Sequence, residues 1–376
     1  MSIADQSEAQ ANLFFTDGPE TGEWQQFIAT DPMDTFVLKS LDELDDLKAF
    51  VNDHQGLLIA GYFSYDLGVQ LLGVNSRHDT VFPLCVLHVY NTWGLTHGEK
   101  PELQTELEPF TLQPTLTRKT YAEAIEKIQD YIRAGDFYQI NFTQQLVART
   151  TQQPRDLFAH LLLRNPASHA CYFEAGNLAI HSLSPELFIH YSNGELITEP
   201  IKGTRPRGES QGSDGAQLEA LLTSEKEQAE LFMITDLLRN DLGKVCETGS
   251  VRLEEAKGVK QLPRVWHTHS RIRGKLRADI APIDALLSML PGGSISGCPK
   301  KRAVEVIDEL EDSSRGVYTG CLGYFHPDGG FSFNIAIRTM IQVEDRLNLG
   351  AGGGITIDSN WEDEWEELLV KASTFL

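Results

Sequence analysis

Of the 376 residues, 41% are hydrophobic and 23% charged, with 31 Gly and 16 Pro, an ordinary globular composition that excludes disorder and collagen-like repeats. With 54 acids against 32 bases the formal charge is −22, which, without a concentrated basic stripe, argues against nucleic acid or an anionic membrane as the main partner. No apolar run reaches the roughly 20 residues that cross a bilayer.

The opening MSIADQSEAQANLFF carries acids where a secretory signal carries bases, so the chain reads as cytoplasmic. Cys85, Cys171, Cys246, Cys298 and Cys321 are far apart and never form CxxC; reduced thiols are expected, with neither a disulfide framework nor a zinc site. Up to residue 115, short apolar runs (GLLIAGYFSYDLG, VFPLCVLHVYNTWGL) alternate with loops, and the polar stretch THGEKPELQTELEPFTLQP links them to the remainder of the chain. Two parts are therefore expected: 1–115, not expected to fold independently, and 116–376, carrying the chemistry. Thr120 with Glu123 has capping-box spacing, Tyr121, Ile125, Ile128 and Ile132 form an apolar stripe, and Gly135 stops that helix. Strand-like runs come next at YQINFTQQLVAR, CYFEAG, NLAIHSL, ELFIHYS and ELITEPI. A long helix is predicted from about Ser224 to Arg239, a further one opens at Pro299 with Ala303, Val306, Ile307 and Leu310 inward, and a last begins near Ser359. Many strands with hairpin-length links predict a mixed α/β fold of antiparallel sheets with helices packed outside.

Two patterns imitate chemistry. Gly350-Ala351-Gly352-Gly353-Gly354 follows a strand but lacks the Rossmann spacing. Cys321 with His326 superficially resembles a glutamine-hydrolysing pair, yet TGCLGYFHPDGGFSF reads as strand, turn, strand. The chain is thus expected to lack its own means of releasing ammonia from glutamine.

Three constellations remain. In PIKGTRPRG, Lys202, Arg205 and Arg207 crowd a turn held by prolines and glycines. Glu186 begins a strand running out to Pro200, which would bring a carboxylate beside Lys202 as an acid/base partner. A lysine attacks only when neutral, and Arg205 and Arg207 are the cations that would lower its pKa. Glu227 and Glu230 share one face of the long helix, and Glu364 and Glu367 repeat the spacing on the last. Such pairs are commonly just solvated; two facing pairs would instead hold a hard divalent cation, Mg²⁺ in particular. Finally, LPGGSISGCPKKR sets glycines and serines ahead of a helix, where backbone N–H groups can meet an anion, and with Arg338 it implies a substrate bearing carboxylates.

PIKGTRPRG, EKEQAELFMITDLLRNDLG, LPGGSISGCPKKRAVEVIDELE, GCLGYF, FNIAIRT and GAGGGITIDS, in this order, resemble the chorismate-utilising enzymes, which include the anthranilate, aminodeoxychorismate, isochorismate and salicylate synthases. The resemblance covers about residues 117–372 strongly and implies a two-sheet sandwich around the site, with the chemistry on chorismate. Water-adding members carry a lysine base where this chain has Gln139, and PIKGT, against PIAGT of anthranilate synthases, is the aminodeoxychorismate synthase pattern. That pattern implies Lys202 as nucleophile, Glu186 as general acid/base and 4-amino-4-deoxychorismate as product, on the way to 4-aminobenzoate and folate. It also implies Mg²⁺ on Glu230 and Glu367 with Glu227 and Glu364 nearby, and carboxylates held by Arg338, Tyr324 and the Gly352, Gly353 and Gly354 amides. Thr204, His267 and Gln139 would line the pocket, and a separate glutaminase subunit would supply ammonia. Anthranilate synthase component I is the rival reading, and a catalytically silent subunit the third.

Overall fold

The computed structural model describes residues 10–14, 25–97, 103, 105–208, 210–261 and 265–375. Much of the opening segment and part of the THGEKPELQTELEPFTLQP connection lie outside them. Two ten-stranded sheets, antiparallel at every pairing, account for the strands among the described residues. One runs from Gly297–Cys298 through Gln139–Arg149, Arg346–Ile355, Thr339–Val343, Leu178–Ser184 and His169–Ala175 to Gln10–Phe14, Gln25–Thr30 and Trp93–His97. The other starts at Ile201–Pro206 and Val265–Lys275, passes Glu195–Glu199, Leu187–Ser192, Phe331–Ile335 and Cys321–Phe325, and ends with Leu58–Phe63, Cys85–Tyr90 and Asp34–Leu38. Strands from before residue 115 thus lie in both sheets. Phe173, Ile180 and Ile341 of the first sheet meet Tyr62, Tyr90 and Leu322 of the second in one buried cluster, which fixes the sandwich. A larger cluster packs the helices onto the sheets.

The sequence pattern locates most elements and misplaces some ends. The helix expected to open at Thr120 is Arg118–Ala134, and its cap is Thr117: the Thr117 hydroxyl accepts the Thr120 amide and the Thr120 hydroxyl accepts the Thr117 amide. The box closes one turn earlier because Thr120, not Glu123, supplies the returning side chain. Gly135 ends that helix at φ 85°, as the glycine suggests. The long helix is Glu225–Val245, capped by Ser224 and running past Arg239, since Leu242 and Val245 continue its buried stripe. Asn360, not Ser359, caps the last helix, Trp361–Ser373.

ELFIHYSNGELITEPI does not form one strand out to Pro200. It folds into a hairpin, Leu187–Ser192 against Glu195–Glu199, because Asn193 and Gly194 both take left-handed φ (52° and 81°) and reverse the chain in two residues. GYFSYDLG likewise divides at Ser64, whose hydroxyl accepts the Leu67 amide and starts a helix, Tyr65–Leu71. GAGGG and GCLGYF both sit inside strands. Among the described residues no helix is long and apolar enough to cross a membrane.

Candidate active site

The Ile201–Pro206 strand pairs with Val265–Lys275, Lys202 opposite Thr268 and Thr204 opposite His267. Gly203 is the extra residue of a bulge and takes φ 77°, a conformation L side chains resist. Its open face is also filled, since a Cβ there would lie 2.9 Å from Thr268 Oγ1 and 3.3 Å from Glu227 Oε2. The bulge re-aims Lys202, whose Nζ donates to the Ser294 carbonyl at 3.3 Å, while its own carbonyl accepts from the Thr268 hydroxyl.

Glu186 enters the same locality from the start of the Leu187–Ser192 strand and is 4% exposed. Burial pushes its carboxyl up to about 7, against the pull of the Ser294 hydroxyl, the Lys202 and Lys260 charges and the Ile201 amide. A carboxyl poised there can give or take a proton near neutrality. His267 is also buried; burial, then the Arg338 charge, press its imidazole down to about 4, so it is neutral at pH 7. Its Nδ1 lies 2.9 Å from the Thr204 hydroxyl and 3.2 Å from the Gly203 carbonyl. A carbonyl only accepts, so that bond places the proton on Nδ1 and leaves buried Nε2, which has no partner in the protein, with its lone pair. Arg338 sits at φ 46°, in the left-handed region, and among the described residues its guanidinium has neither an ion-pair nor a hydrogen-bond partner. An unpaired guanidinium beside a neutral imidazole is suited to an incoming carboxylate.

The glycines of the Arg346–Ile355 strand serve close approach. Gly354 lies opposite Asn141, and a Cβ on it would come within 2.0 Å of Gln139 Nε2; the Gln139 Oε1 is buried without a partner. Gly352 presses on the Phe142 carbonyl, and its own carbonyl accepts from Lys371 Nζ at 2.9 Å. Gly353 faces the carboxylates, 3.2 Å from Glu364 Oε2 and 3.9 Å from Glu367 Oε1 measured from an added Cβ.

Of the two carboxylate pairs, Glu227 and Glu367 sense each other's charge from one helix to the other. Burial, then the charges of Glu230 and Glu367, hold the Glu227 carboxyl above its ordinary range against Arg205, and its Oε2 is buried without a partner. Glu364 is raised by burial and by Glu367, although the Ser359 hydroxyl donates to its Oε1 at 2.8 Å. Glu367 goes the other way: partial desolvation is outweighed by Lys371, Lys226 and Lys202, which hold it below its ordinary range. Two oxygens are already taken, Glu227 Oε1 by Arg205 Nη1 at 2.6 Å and Glu367 Oε1 by Lys371 Nζ at 2.7 Å. Among the described residues no three His, Cys, Asp or Glu side chains converge into a ready-made metal cage. The donor set nonetheless suits a hard cation, being all carboxylate with one oxygen orphaned.

Several expectations are revised. Arg205 is committed to Glu227, and Arg207 to Asp214 at 2.6 Å with its plane over Trp266, so neither is a free cation beside Lys202. The LPGGSISG loop contributes carbonyls that its glycines and serines do not announce: Ser294 O accepts Lys202, and Ile295 O accepts Asn141 and Arg315. Tyr324 is not brought to Arg338; its ring packs with Phe27 and His326 against the cluster between the sheets. All five thiols are pushed up by burial, which disfavours a nucleophilic Cys321, and His326 pairs with Asp328 at 2.9 Å.

A family model described as chorismate binding enzyme matches residues 11–376. The chain belongs to that family. It is 40% identical over 298 residues to the chloroplastic aminodeoxychorismate synthase of Arabidopsis thaliana, covering 78% of this chain and 32% of that protein. It is 36% identical over 342 residues to aminodeoxychorismate synthase component 1 of Escherichia coli K12, covering 84% and 75%. Several further relatives, anthranilate synthase component 1 proteins among them, are matched over only about half their length. The crystal structure of anthranilate synthase component I from Streptococcus pneumoniae TIGR4 superposes with a TM-score of 0.83 at 27% identity, over 93% of this chain and 92% of that one.

Within the chorismate binding enzyme frame, three site residues carry no clear signal in the sequence. Lys371 is visible there only as a helix residue four beyond Glu367, a pairing common on solvated faces. The role of Ser294 as acceptor for Lys202 depends on a contact across 92 positions that no local pattern encodes. Lys260 is held by Glu199 at 2.7 Å and adds its charge to the surroundings of Glu186 and His267.

Proposed function

We propose that the chain converts chorismate and ammonia into 4-amino-4-deoxychorismate. One observation carries this reading: Lys202, the lysine of PIKGT, shares the Ser294 locality with a buried Glu186 held near neutrality. The Lys202 amine forms a C–N bond at C2 of the ring as both ring double bonds shift one place, C1=C2 to C1=C6 and C5=C6 to C4=C5, and the C4 hydroxyl departs as water, carrying the Glu186 proton. Ammonia then bonds to C4, both double bonds return, the lysine amine is expelled from C2, and the surplus proton of the ammonia returns to the Glu186 carboxylate. Two easier displacements replace one hard one. Arg338 holds a substrate carboxylate, and neutral His267 presents its Nε2 lone pair to the same pocket. Glu230 and Glu367, with Glu227 and Glu364, would hold Mg²⁺, which when bound supplies positive charge against a ring carboxylate. Ammonia comes from a separate glutaminase subunit, consistent with five unactivated thiols, and a cytoplasmic setting suits their reduced state.

Product identification from chorismate, Mg²⁺ and ammonium tests this. Aminodeoxychorismate is expected, with Lys202→Ala reduced to background. Fluorescent anthranilate as the main product would replace the reading with that of an anthranilate synthase. No turnover by correctly folded protein would favour a silent binding subunit.

A further inference from the structure

Two of the four carboxylates proposed to hold the metal, Glu227 and Glu367, already have partners. Arg205 Nη1 bridges Glu227 Oε1 at 2.6 Å and the Thr204 carbonyl at 2.9 Å. Lys371 Nζ bridges Glu367 Oε1 at 2.7 Å and the Gly352 carbonyl at 2.9 Å. Each cation therefore ties one carboxylate to the backbone of a strand that borders the site, Ile201–Pro206 in one case and Arg346–Ile355 in the other. The arrangement is symmetrical in kind: on each of the two helices one glutamate of the pair is engaged by a half-exposed cation, Glu227 rather than Glu230, Glu367 rather than Glu364. The remaining oxygens are left to a newcomer, and Glu227 Oε2 is buried with no partner.

We propose that Arg205 and Lys371 are built-in counter-ions that compete with an entering divalent cation for Glu227 and Glu367. This rests on the metal reading given above and adds a regulator to it. Four carboxylates facing one another without such partners would repel strongly, and two internal cations offset that repulsion in the metal-free protein. They do so at a cost in metal affinity, because the positive charge they hold on Glu227 Oε1 and Glu367 Oε1 opposes an arriving metal, and either of those oxygens is taken only when its cation gives it up. Both pairs are partly solvated, with side-chain exposures of 34% and 16% for Arg205 and Glu227 and of 39% and 58% for Lys371 and Glu367, so the competition is modest and sensitive to salt.

Calorimetric titration of Mg²⁺ into the full chain without substrate, with Mn²⁺ followed by electron paramagnetic resonance as second readout, tests the idea. Lys371→Gln and Arg205→Gln are expected to bind the metal about threefold to tenfold more tightly than the parent. The charge-conserving Lys371→Arg and Arg205→Lys should stay within about twofold, and raising ionic strength should shrink the gap between parent and Gln variants. In thermal unfolding, the Gln variants should melt earlier without metal and gain more from added Mg²⁺ than the parent does. Equal or weaker binding by both folded Gln variants would overturn the proposal while leaving the metal reading intact. No binding by parent or variants would remove the metal reading itself, and this proposal with it.

Discussion

Lys202 and Glu186 make the sharpest demands on single side chains. Replacing Glu186 by Gln should lower turnover by about 10²–10⁴-fold, the usual range for removing a positioned acid or base. In the parent, activity that needs the protonated carboxyl should fall as pH rises through about 7. The same group sets a stability trend. Its carboxyl loses a proton near 4.5 when unfolded and near 7 when folded, so between those values the folded chain holds more protons and stability falls as pH rises. Glu186→Gln should therefore be more stable than the parent in urea above pH 7, and the advantage should vanish below about pH 4.5. His267 acts with the opposite sign: its imidazole titrates near 4 in the fold and 6.5 outside it, so its contribution grows as pH climbs between them. Most of these residues were legible in the sequence because each sits in a motif with a chemical reason for its type. What the motif could not give was orientation. Arg205 and Arg207 look like cations at large until Glu227 and Asp214 claim them. Tyr324 shares a strand with Leu322 and, two positions on, the same face, which turns it to the cluster between the sheets.

Glycines decide the fit of whole elements. On Arg346–Ile355, Gly352→Ala would put a methyl 2.1 Å from the Phe142 carbonyl, a backbone atom that cannot step aside. This substitution is expected to cost about 1–3 kcal/mol by forcing the strand away from Gln139–Arg149, seen as a lower denaturation midpoint. Gly354→Ala meets the Gln139 side chain instead, which can turn. It should lose less stability and more activity, a contrast between two glycines of one strand that a purely structural role would not produce. Thr117→Ala should cost about 1 kcal/mol of stability, whereas Thr120→Ala keeps the main cap bond and should cost less. At this scale the sequence pattern marks the helix and misses its first residue, since Thr117 and Thr120 both fit the capping spacing. The hairpin at Asn193-Gly194 is half legible: ELFIHYS and ELITEPI read as two strand-like runs, but carrying the strand of Glu186 out to Pro200 passes over the Asn-Gly turn chemistry that marks the reversal.

For the molecule as a whole, strands on either side of residue 115 are interleaved. Leu58–Phe63 pairs with both Cys85–Tyr90 and Cys321–Phe325, and Gln10–Phe14 pairs with His169–Ala175. A fragment of residues 116–376 would leave the edges of Cys321–Phe325 and His169–Ala175 bare, and should show no cooperative unfolding transition by calorimetry. Such interleaving is beyond local pattern, which reports strands and not their partners. It also bears on how the protein is made. Phe63 leaves the ribosome long before Cys321, its neighbour in the finished sheet. Until then Leu58–Phe63, buried at every position in the native state, has one side unclaimed on the nascent chain. A chaperone that covers this strand until Cys321–Phe325 arrives should therefore raise the yield of soluble chain.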